Sequence, residues 1–351
     1  MEISIARKVM ESISSLFTNL KEVQMKKSIV LLLLVAVVTV CAWSAGKKEE
    51  AVYPAKPITV LQGFQPGGGS DQLAQLAQPF LEKILGKTFV NQYIPGATGG
   101  IAWTQLAKQS PKDAYTISIT NTPMLMTNYI MNPEMKYSIK ELDPIANVVT
   151  DPGVIVVGKD SPYKTAQEFF AAVKANPGKI TAANSGVGGD DFFTTLITEK
   201  ATGLKFQMVP FSGDGPSWQS AAGLKTDSSF NNLGVTYPQL KAGMLRALVI
   251  FSDKRDASIP DVPTMKELGF NVISGSSRGY SAPKGIPQAA KDKLIAAFAE
   301  MGKNPEFAKA AAERALPVDI KLGKDYEAYL SSQESAFVGI WDEVKSQYTK
   351  K

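Results

Sequence analysis

The chain has 351 residues, a net charge of +5, a single cysteine and no histidine. Without histidine it lacks the commonest general base, the Ser-His-Asp and Cys-His arrangements, and most zinc ligand sets. One cysteine excludes an internal disulfide, and so small a charge does not indicate a nucleic-acid partner. The length exceeds one comfortable hydrophobic core and predicts two domains.

The amino-terminal segment has the pattern of an export signal. Lys26 and Lys27 precede an apolar run over residues 29–41, and small residues follow up to Ala45. The run is shorter than the ~20 residues that span a membrane. We therefore predict that residues 1–45 are an export signal and leader. Removing the residues before Cys41 takes away five basic and three acidic side chains, which lowers the net charge to +3.

Cys41 lies where the apolar run ends, and two interpretations of it stay open. One is a lipid-modified cysteine that anchors the exported protein to the membrane. The other is an ordinary signal-sequence cysteine with cleavage before Ala45, which Val40 favours because a small residue usually precedes a lipidated cysteine. Both place the mature protein outside the cytoplasm, in the periplasm.

The first feature of the mature chain is a glycine-rich turn, Phe64–Asp71, between a predicted strand at Ile58–Leu61 and a predicted helix at Asp71–Leu85. Such a turn directs free backbone N–H groups and the positive end of the helix dipole at one point, where an anion can bind. The turn lacks the G-x-G-x-x-G spacing and the Gly-Lys-Ser/Thr of nucleotide-binding loops.

Strands and helices then alternate through residue 120, which predicts a doubly wound parallel sheet. The same order recurs about 115 residues later: a strand at Ile180–Ala183, a glycine-rich turn at Asn184–Gly189, and a helix from Asp190. Two chain crossings, near Val154–Gly158 and Ile273–Ala282, are expected to join the halves. We therefore predict an α/β, two-domain clamshell of the type II periplasmic-binding-protein kind. Its first domain is 46–156 with 275–351, and its second is 157–274.

Several short motifs resemble those of the periplasmic solute-binding proteins of tripartite tricarboxylate transporters, the Bug-type receptors. The motifs occur in the same order and spacing over nearly the whole mature chain. They are Tyr53–Ile58, Phe64–Asp71, Pro95–Gly100, Asn176–Ile180, Ser185–Gly189, Leu245–Leu248 and Pro260–Thr264. The resemblance implies a clamshell that closes on a small carboxylate, held largely by backbone N–H groups and waters.

Carried over by position, the resemblance implies ligand-binding residues in both domains. The first domain contributes Phe64, Gly67, Gly68, Gly69, Ser70, Asp71 and Asn121. The second contributes Ser185, Gly186, Gly188, Gly189, Gly213 and Asn231. Asp190 and, on the return crossing, Arg278 are added as candidates from their own chemistry and not from the family pattern. For Gly67–Gly69 the alternative role is a tight turn for strand–helix packing, and for Asp71 it is a helix cap.

The sequence departs from the family pattern at three places. Phe192 stands where the family commonly has a histidine, Asp190 and Asp191 replace Ser or Thr, and Ser277–Arg278 replaces an aromatic pair. The two acids either complement the dipole of their helix or contact a ligand amine. Arg278 is expected at the mouth of the cleft, where a long cation is not needed for packing. There it would be either a solvated surface side chain or a clamp on a carboxylate.

The sequence therefore predicts an exported receptor that delivers a small carboxylate to membrane transporter subunits. It is expected to act as a monomer without cofactor or metal and to make or break no bond. A ligand-binding sensor for a signalling partner is an open alternative. A hydrolase or transferase that works without histidine is the alternative from another class.

Overall fold

The computed structural model describes residues 10–12, 14 and 53–348. The chain divides into two compact units, Met1–Val52 and Tyr53–Lys351. The four described residues of the first unit are helical and exposed. The predicted signal run, its cleavage site and Cys41 lie outside the described residues. No helix in the described part of the chain is both long and apolar enough to cross a membrane.

The second unit begins with alternating strands and helices. They are β1 (Ile58–Gln62), α1 (Gly69–Leu85), β2 (Phe89–Tyr93), α2 (Gly100–Lys108), β3 (Thr116–Thr122) and α3 (Met124–Met131). Strand β1 pairs in parallel with both β2 and β3. A later strand, β9 (Gly275–Pro283), lies antiparallel to β3. These elements form what we call the first lobe.

A second series follows the long strand β4 (Leu142–Gly158). It comprises α4 (Ala166–Ala175), β5 (Thr181–Asn184), α5 (Asp190–Thr202), β6 (Gln207–Pro210), α6 (Asp214–Ala222), β7 (Ser228–Asn232), α7 (Leu233–Lys241) and β8 (Leu245–Ile250). We call this series the second lobe. Its strand order, β6-β5-β7-β4, repeats the order β2-β1-β3-β9 of the first lobe. The predicted α/β class and the repeated strand–turn–helix unit are confirmed.

Strand β4 belongs to both lobes and joins them into one ten-stranded sheet. Residues Leu142–Pro152 pair with β9, whereas Gly153–Gly158 pair with β7 and β8. The predicted crossing at Val154–Gly158 covered only its last third. The earlier part was not predicted as strand because it contains Pro144 and Pro152, which interrupt ladder hydrogen bonding and are typical of turns.

The chain ends with α8 (Gln288–Gly302), α9 (Pro305–Ala312), β10 (Val318–Leu322) and α10 (Gly323–Tyr348). Helix α10 packs on both lobes. The Tyr326 hydroxyl is hydrogen-bonded to Thr120 in β3 at 3.1 Å. Farther along, the ring of Phe337 meets Phe193 of α5 edge-on, with 5.2 Å between centroids. Phe192 is buried in the same cluster as Trp341, so this position is part of the hydrophobic core.

Helix α3 was not predicted from the sequence. Residues 124–128 are all buried, so the helix shows no alternation of apolar and polar faces from which its 3.6-residue period could be read. Strand β10 was missed as well, because its alternation is weak and each of its side chains keeps some exposure.

Candidate functional site

The turn before α1 and the turn before α5 face each other across a narrow cleft. The Thr98 hydroxyl of the first lobe donates to the Val187 carbonyl of the second at 3.3 Å. The Thr127 hydroxyl donates to the Gly188 carbonyl at 2.6 Å. A cavity of about 230 Å³ lies between the lobes. It is lined by Gly63, Phe64, Gln65, Pro95, Gly96, Ala97, Thr98, Ser185, Phe211 and Ser212.

The first turn binds a carboxylate of the chain itself, that of Asp71. The Gly67 N–H donates to Oδ2 of Asp71 at 2.9 Å, and so does Nε2 of Gln75 at 2.9 Å. The Tyr93 hydroxyl donates to Oδ1 at 2.7 Å. Burial, with help from Asp71, raises the pKa of Tyr93 to about 12, so its proton stays in place. Asp71 therefore occupies the anion position that the sequence assigned to a ligand at Gly67.

The rest of the first turn is packed closely against its surroundings. The Ser70 hydroxyl donates to Oδ1 of Asn121 at 2.9 Å, and both residues are buried. Phe64 lies edge-on against Trp103, with 6.3 Å between centroids, and lines the cavity. A Cβ at Gly69 would fall 2.3 Å from Cζ of Arg278. Only glycine fits there, because the Arg278 guanidinium lies directly against its backbone.

The second turn repeats this arrangement with different donors. The Ser185 N–H donates to Oδ2 of Asp191 at 3.2 Å. The Gly186 N–H donates to Oδ1 of Asn184 at 3.0 Å, and the Gly189 N–H to the Gly186 carbonyl at 3.0 Å. Gly188 instead offers its carbonyl to the first lobe. Several of the N–H groups predicted to hold a ligand are therefore bonded within the turn.

Arg278 does not lie at the mouth of the cleft as a solvated side chain; that expectation was wrong. It lies in the middle of β9, opposite Asn121 of β3, and is 1% exposed. Its Nη1 donates to Oδ2 of Asp151 at 2.6 Å, and its Nη2 donates to Oδ1 of Asn232 at 2.6 Å. The surrounding acids raise the pKa of Arg278 despite its burial, so it remains a cation.

The Gly/Ser-rich sequence around Arg278 has a packing cause. A Cβ at Gly279 would fall 2.3 Å from the Ala146 carbonyl oxygen of β4. Ser276 and Ser277 are buried beside it. Small residues here allow close approach between central strands. The same composition is also typical of exposed loops, which misled the sequence-based expectation.

Three further carboxylates of the second lobe meet at this point. Asp190 and Asp191 are each 1% exposed, and Asp214 at the start of α6 is half-buried. Oδ2 of Asp190 accepts from Nδ2 of Asn232 at 2.7 Å. Burial, reinforced by the neighbouring acids, raises the pKa of Asp190 to about 6 and that of Asp191 well above the ordinary range.

Asp214 reaches the first lobe. Burial raises the pKa of Asp214, and Arg278 and then the Gly69 N–H at the start of α1 partly offset that rise. The predicted ligand residue Asn231 supports this loop, because its Nδ2 donates to the Asp214 carbonyl at 3.1 Å. Gly213, at φ 140°, precedes α6 and lets the chain turn there.

Sequence reasoning missed Asp151, Asp214 and Asn232 as members of the site. Asp151 could have been identified from the sequence, because an acidic residue between two apolar strand segments implies a buried side chain with a partner. That partner is Arg278, and the Gly234 N–H also donates to Oδ1 of Asp151 at 2.9 Å. No group of His, Cys, Asp and Glu side chains in residues 53–348 has an arrangement suited to a metal ion.

Comparisons with known proteins agree with this architecture. The family model described as "Tripartite tricarboxylate transporter family receptor" matches residues 73–336, from α1 into α10. A curated protein of Cupriavidus necator, "UPF0065 protein in gbd 5'region", is 31% identical over 261 residues, which cover 74% of this chain and 79% of that protein.

Solved structures extend the match to the whole fold. "Structure of a periplasmic transporter" superposes with a TM-score of 0.79 at 31% identity, covering 85% of this chain and 99% of that one. MatC from Rhodopseudomonas palustris with bound malate gives a TM-score of 0.74 at 25% identity, covering 83% and 99%. The two-domain solute-binding fold and the resemblance seen in the sequence are confirmed.

Proposed function

The chain belongs to the tripartite tricarboxylate transporter receptor family, and from this premise we propose that it captures a small carboxylate between its lobes and delivers it to the membrane subunits of such a transporter. The observation that carries the proposal is the cavity of about 230 Å³ between the two glycine turns. Pockets for drug-sized molecules measure about 300–1,000 Å³, so this one fits a small metabolite. The malate bound to MatC is a ligand of that size class.

The proposed mechanism is closure of the two lobes around the solute. Hydrogen bonds from Thr98 and Thr127 cross the cleft to the turn that contains Val187 and Gly188. In the proposal these bonds form as the lobes close and break as they open. In the proposal the hinge lies where β4 passes from β9 to β7, between Pro152 and Gly153, and where the chain returns into β9. The moving bodies are the predicted domains 46–156 with 275–351, and 157–274, except that Gly153–Val156 move with the second lobe.

We propose binding without chemistry. The sequence has no histidine and one cysteine, Cys41, which lies outside the described residues. Receptors of this family are periplasmic, and the export signal predicted for residues 1–45 is in keeping with that location. Lipid attachment at Cys41 stays a prediction.

The proposal is tested by a thermal-shift and calorimetric screen of the protein against malate, succinate, citrate and aspartate. We expect at least one of them to raise the melting temperature and to bind with one-to-one stoichiometry. The matched diamides, which lack the carboxylates, should bind at least tenfold more weakly. If every carboxylate leaves the melting temperature unchanged and gives no binding heat, the proposal fails.

A variant with a larger side chain in the cavity tests whether the ligand binds there. Ser212 is exposed and lines the cavity, so Ser212→Trp should weaken binding at least tenfold and leave the melting temperature of the free protein within about a degree of wild type. Ser332→Trp, on the exposed face of α10, is the matched control and should bind as wild type does. Equal affinity in both variants would place the ligand elsewhere.

A further inference from the structure

The charges around the cleft are unbalanced, and the second lobe supplies most of the excess. Asp190, Asp191 and Asp214 interact electrostatically with one another, and Arg278 is the cation that acts on Asp190 and Asp214. Nη1 of Arg278 is already committed to Asp151. The cluster therefore places four acidic side chains, of which Asp191 holds its proton most tightly because its pKa is raised well above the ordinary range, beside one guanidinium. A ligand that carried only negative charge would add to the repulsion.

Two buried polar atoms of this cluster have no partner in the described part of the chain. Oδ1 of Asp190 and Nε of Arg278 have no hydrogen-bond partner among the described residues, and each side chain is 1% exposed. A buried polar atom left unpaired costs about 1–3 kcal/mol, and native proteins pair such atoms with protein, water or ligand. The first of these atoms needs a donor, and the second needs an acceptor.

Ser185 connects the cluster with the cavity. Its side chain lines the cavity, is 3% exposed and makes no hydrogen bond of acceptable geometry. Its backbone N–H is bonded to Asp191, the neighbour of Asp190. A solute in the cavity thus lies beside Ser185, whose side chain interacts with Asp191 and Asp214 of the acidic cluster.

An organic ammonium group matches these features better than a metal ion does. The acidic side chains in residues 53–348 are not arranged to hold a metal. An ammonium group offers three N–H donors, which suit carboxylate oxygens. A carboxylate on the same molecule would accept from Nε of Arg278, the one guanidinium nitrogen without a partner among the described residues.

We propose that the captured solute is an amino acid or a related amino carboxylate, whose ammonium group binds to Asp190 and Asp214 while its carboxylate binds to Arg278. The inference rests on the proposed function, since it assumes that the solute enters the cavity between the lobes. It assigns recognition of the ammonium group to the second lobe and recognition of the carboxylate to Arg278 of the first lobe.

The test compares matched pairs of ligands that differ in the amino group alone. Calorimetric titrations would use succinate against aspartate and glutarate against glutamate, at pH 7.5. We expect the amino member of at least one pair to bind tenfold or more tightly than its partner. If the plain dicarboxylates bind as well or better, this inference is overturned and the proposed function stands. If no carboxylate of any kind binds, both are overturned.

Asp190→Asn tests the role of the cluster. The asparagine Oδ1 can still accept from Asn232, while the charge is lost. We expect this variant to lose at least tenfold in affinity for the amino ligand and to keep or improve its affinity for the plain dicarboxylate. Asp160→Asn, at an exposed position, is the matched control and should change neither.

A purely structural role for Asp190 would weaken both ligands equally, and that result would overturn the inference. If Asp190→Asn does not fold, Asp214→Asn replaces it, since Asp214 is only half-buried. The same selective loss of the amino ligand is expected from Asp214→Asn, and an equal loss for both ligands again contradicts the inference.

Discussion

The two glycine turns occupy the same position in their lobes, but the aspartate carboxylate beside each turn has different hydrogen-bond partners. In the first turn, the Asp71 carboxylate accepts from a backbone N–H, an amide and a hydroxyl. In the second turn, Asp190 accepts from Asn232 and leaves one oxygen unpaired. Both carboxylate oxygens of Asp71 accept hydrogen bonds from the chain itself, whereas Oδ1 of Asp190 has no partner among the described residues. Repeated topology therefore does not imply repeated chemistry.

The difference suggests that the two lobes contribute to ligand binding in different ways. A turn whose donors are satisfied internally is rigid and presents a fixed surface. A turn with unpaired charge is unstable by itself and gains most when a ligand of opposite charge arrives. On this basis we expect substitutions in the first turn to act through shape, and substitutions in the second to act through charge.

The largest effect is expected from the cation that both turns approach. Arg278→Met removes the guanidinium from the buried pair with Asp151. Breaking such a pair leaves a buried charge unpaired and costs about 3–5 kcal/mol in the free energy of unfolding. Urea denaturation at pH 7 measures it. Arg314→Met, at an exposed arginine, is the control and should cost less than about 1 kcal/mol. A loss for Arg278→Met as small as that of the control would contradict the buried ion pair.

The second expected effect depends on pH. Burial and nearby acids raise the pKa of Asp190 from 3.8 to about 6, so the folded state holds its proton more tightly than the unfolded state does. Stability is therefore lost as the pH rises through this window, at about 1.4 kcal/mol for each pKa unit. The facing groups are Asp191, Asp214 and Arg278.

Asp190→Asn removes this loss. Without ligand, we expect the variant to be more stable than wild type by about 3 kcal/mol at pH 8, with the gain shrinking towards pH 4. Urea denaturation at several pH values between 4 and 8 measures the difference. A gain that stays constant across this range would show that the substitution acts through packing and not through the charge of Asp190.

The smallest of the three effects tests the shape of the first turn. Gly69→Ala places a methyl group 2.3 Å from Cζ and Nη2 of Arg278. The guanidinium cannot yield, because Asp151 and Asn232 hold it, so we expect a loss of about 1–3 kcal/mol in the free energy of unfolding. Gly68→Ala is the control: its nearest neighbour would be the Gln65 carbonyl at 3.7 Å, an ordinary contact. Equal losses in the two variants would mean that general turn strain, and not Arg278, sets the requirement for glycine.

Local signals in the sequence were sufficient for much of the fold. Thr165 and Glu168 form a capping box at the start of α4, a pattern that is visible in the sequence, and α5 begins at Asp190 as predicted. The repeated strand–turn–helix unit predicted the topology of both lobes. These features depend on neighbours within one or two helical turns, which a single sequence records.

The site was less predictable, because its decisive contacts join residues far apart in the chain. Arg278 meets Asp151 across 127 positions, and Asn232 meets Asp190 across 42. Sequence spacing does not report such pairs. The sequence did indicate that Asp190 and Arg278 were unusual for the family, but burial reversed the expected exposure of Arg278.

Strand β4 changes partners between Pro152 and Gly153, and Asp151 lies immediately before this change. The buried ion pair therefore lies within one residue of the hinge proposed above. If the lobes close about this point, a solute bound at Arg278 or Asp190 acts beside the hinge, where a small local displacement becomes a large displacement at the lobe tips. Binding of the solute and the angle between the lobes would then change together. A membrane partner could therefore recognise the ligand-bound receptor from its outer surface, without contacting the solute.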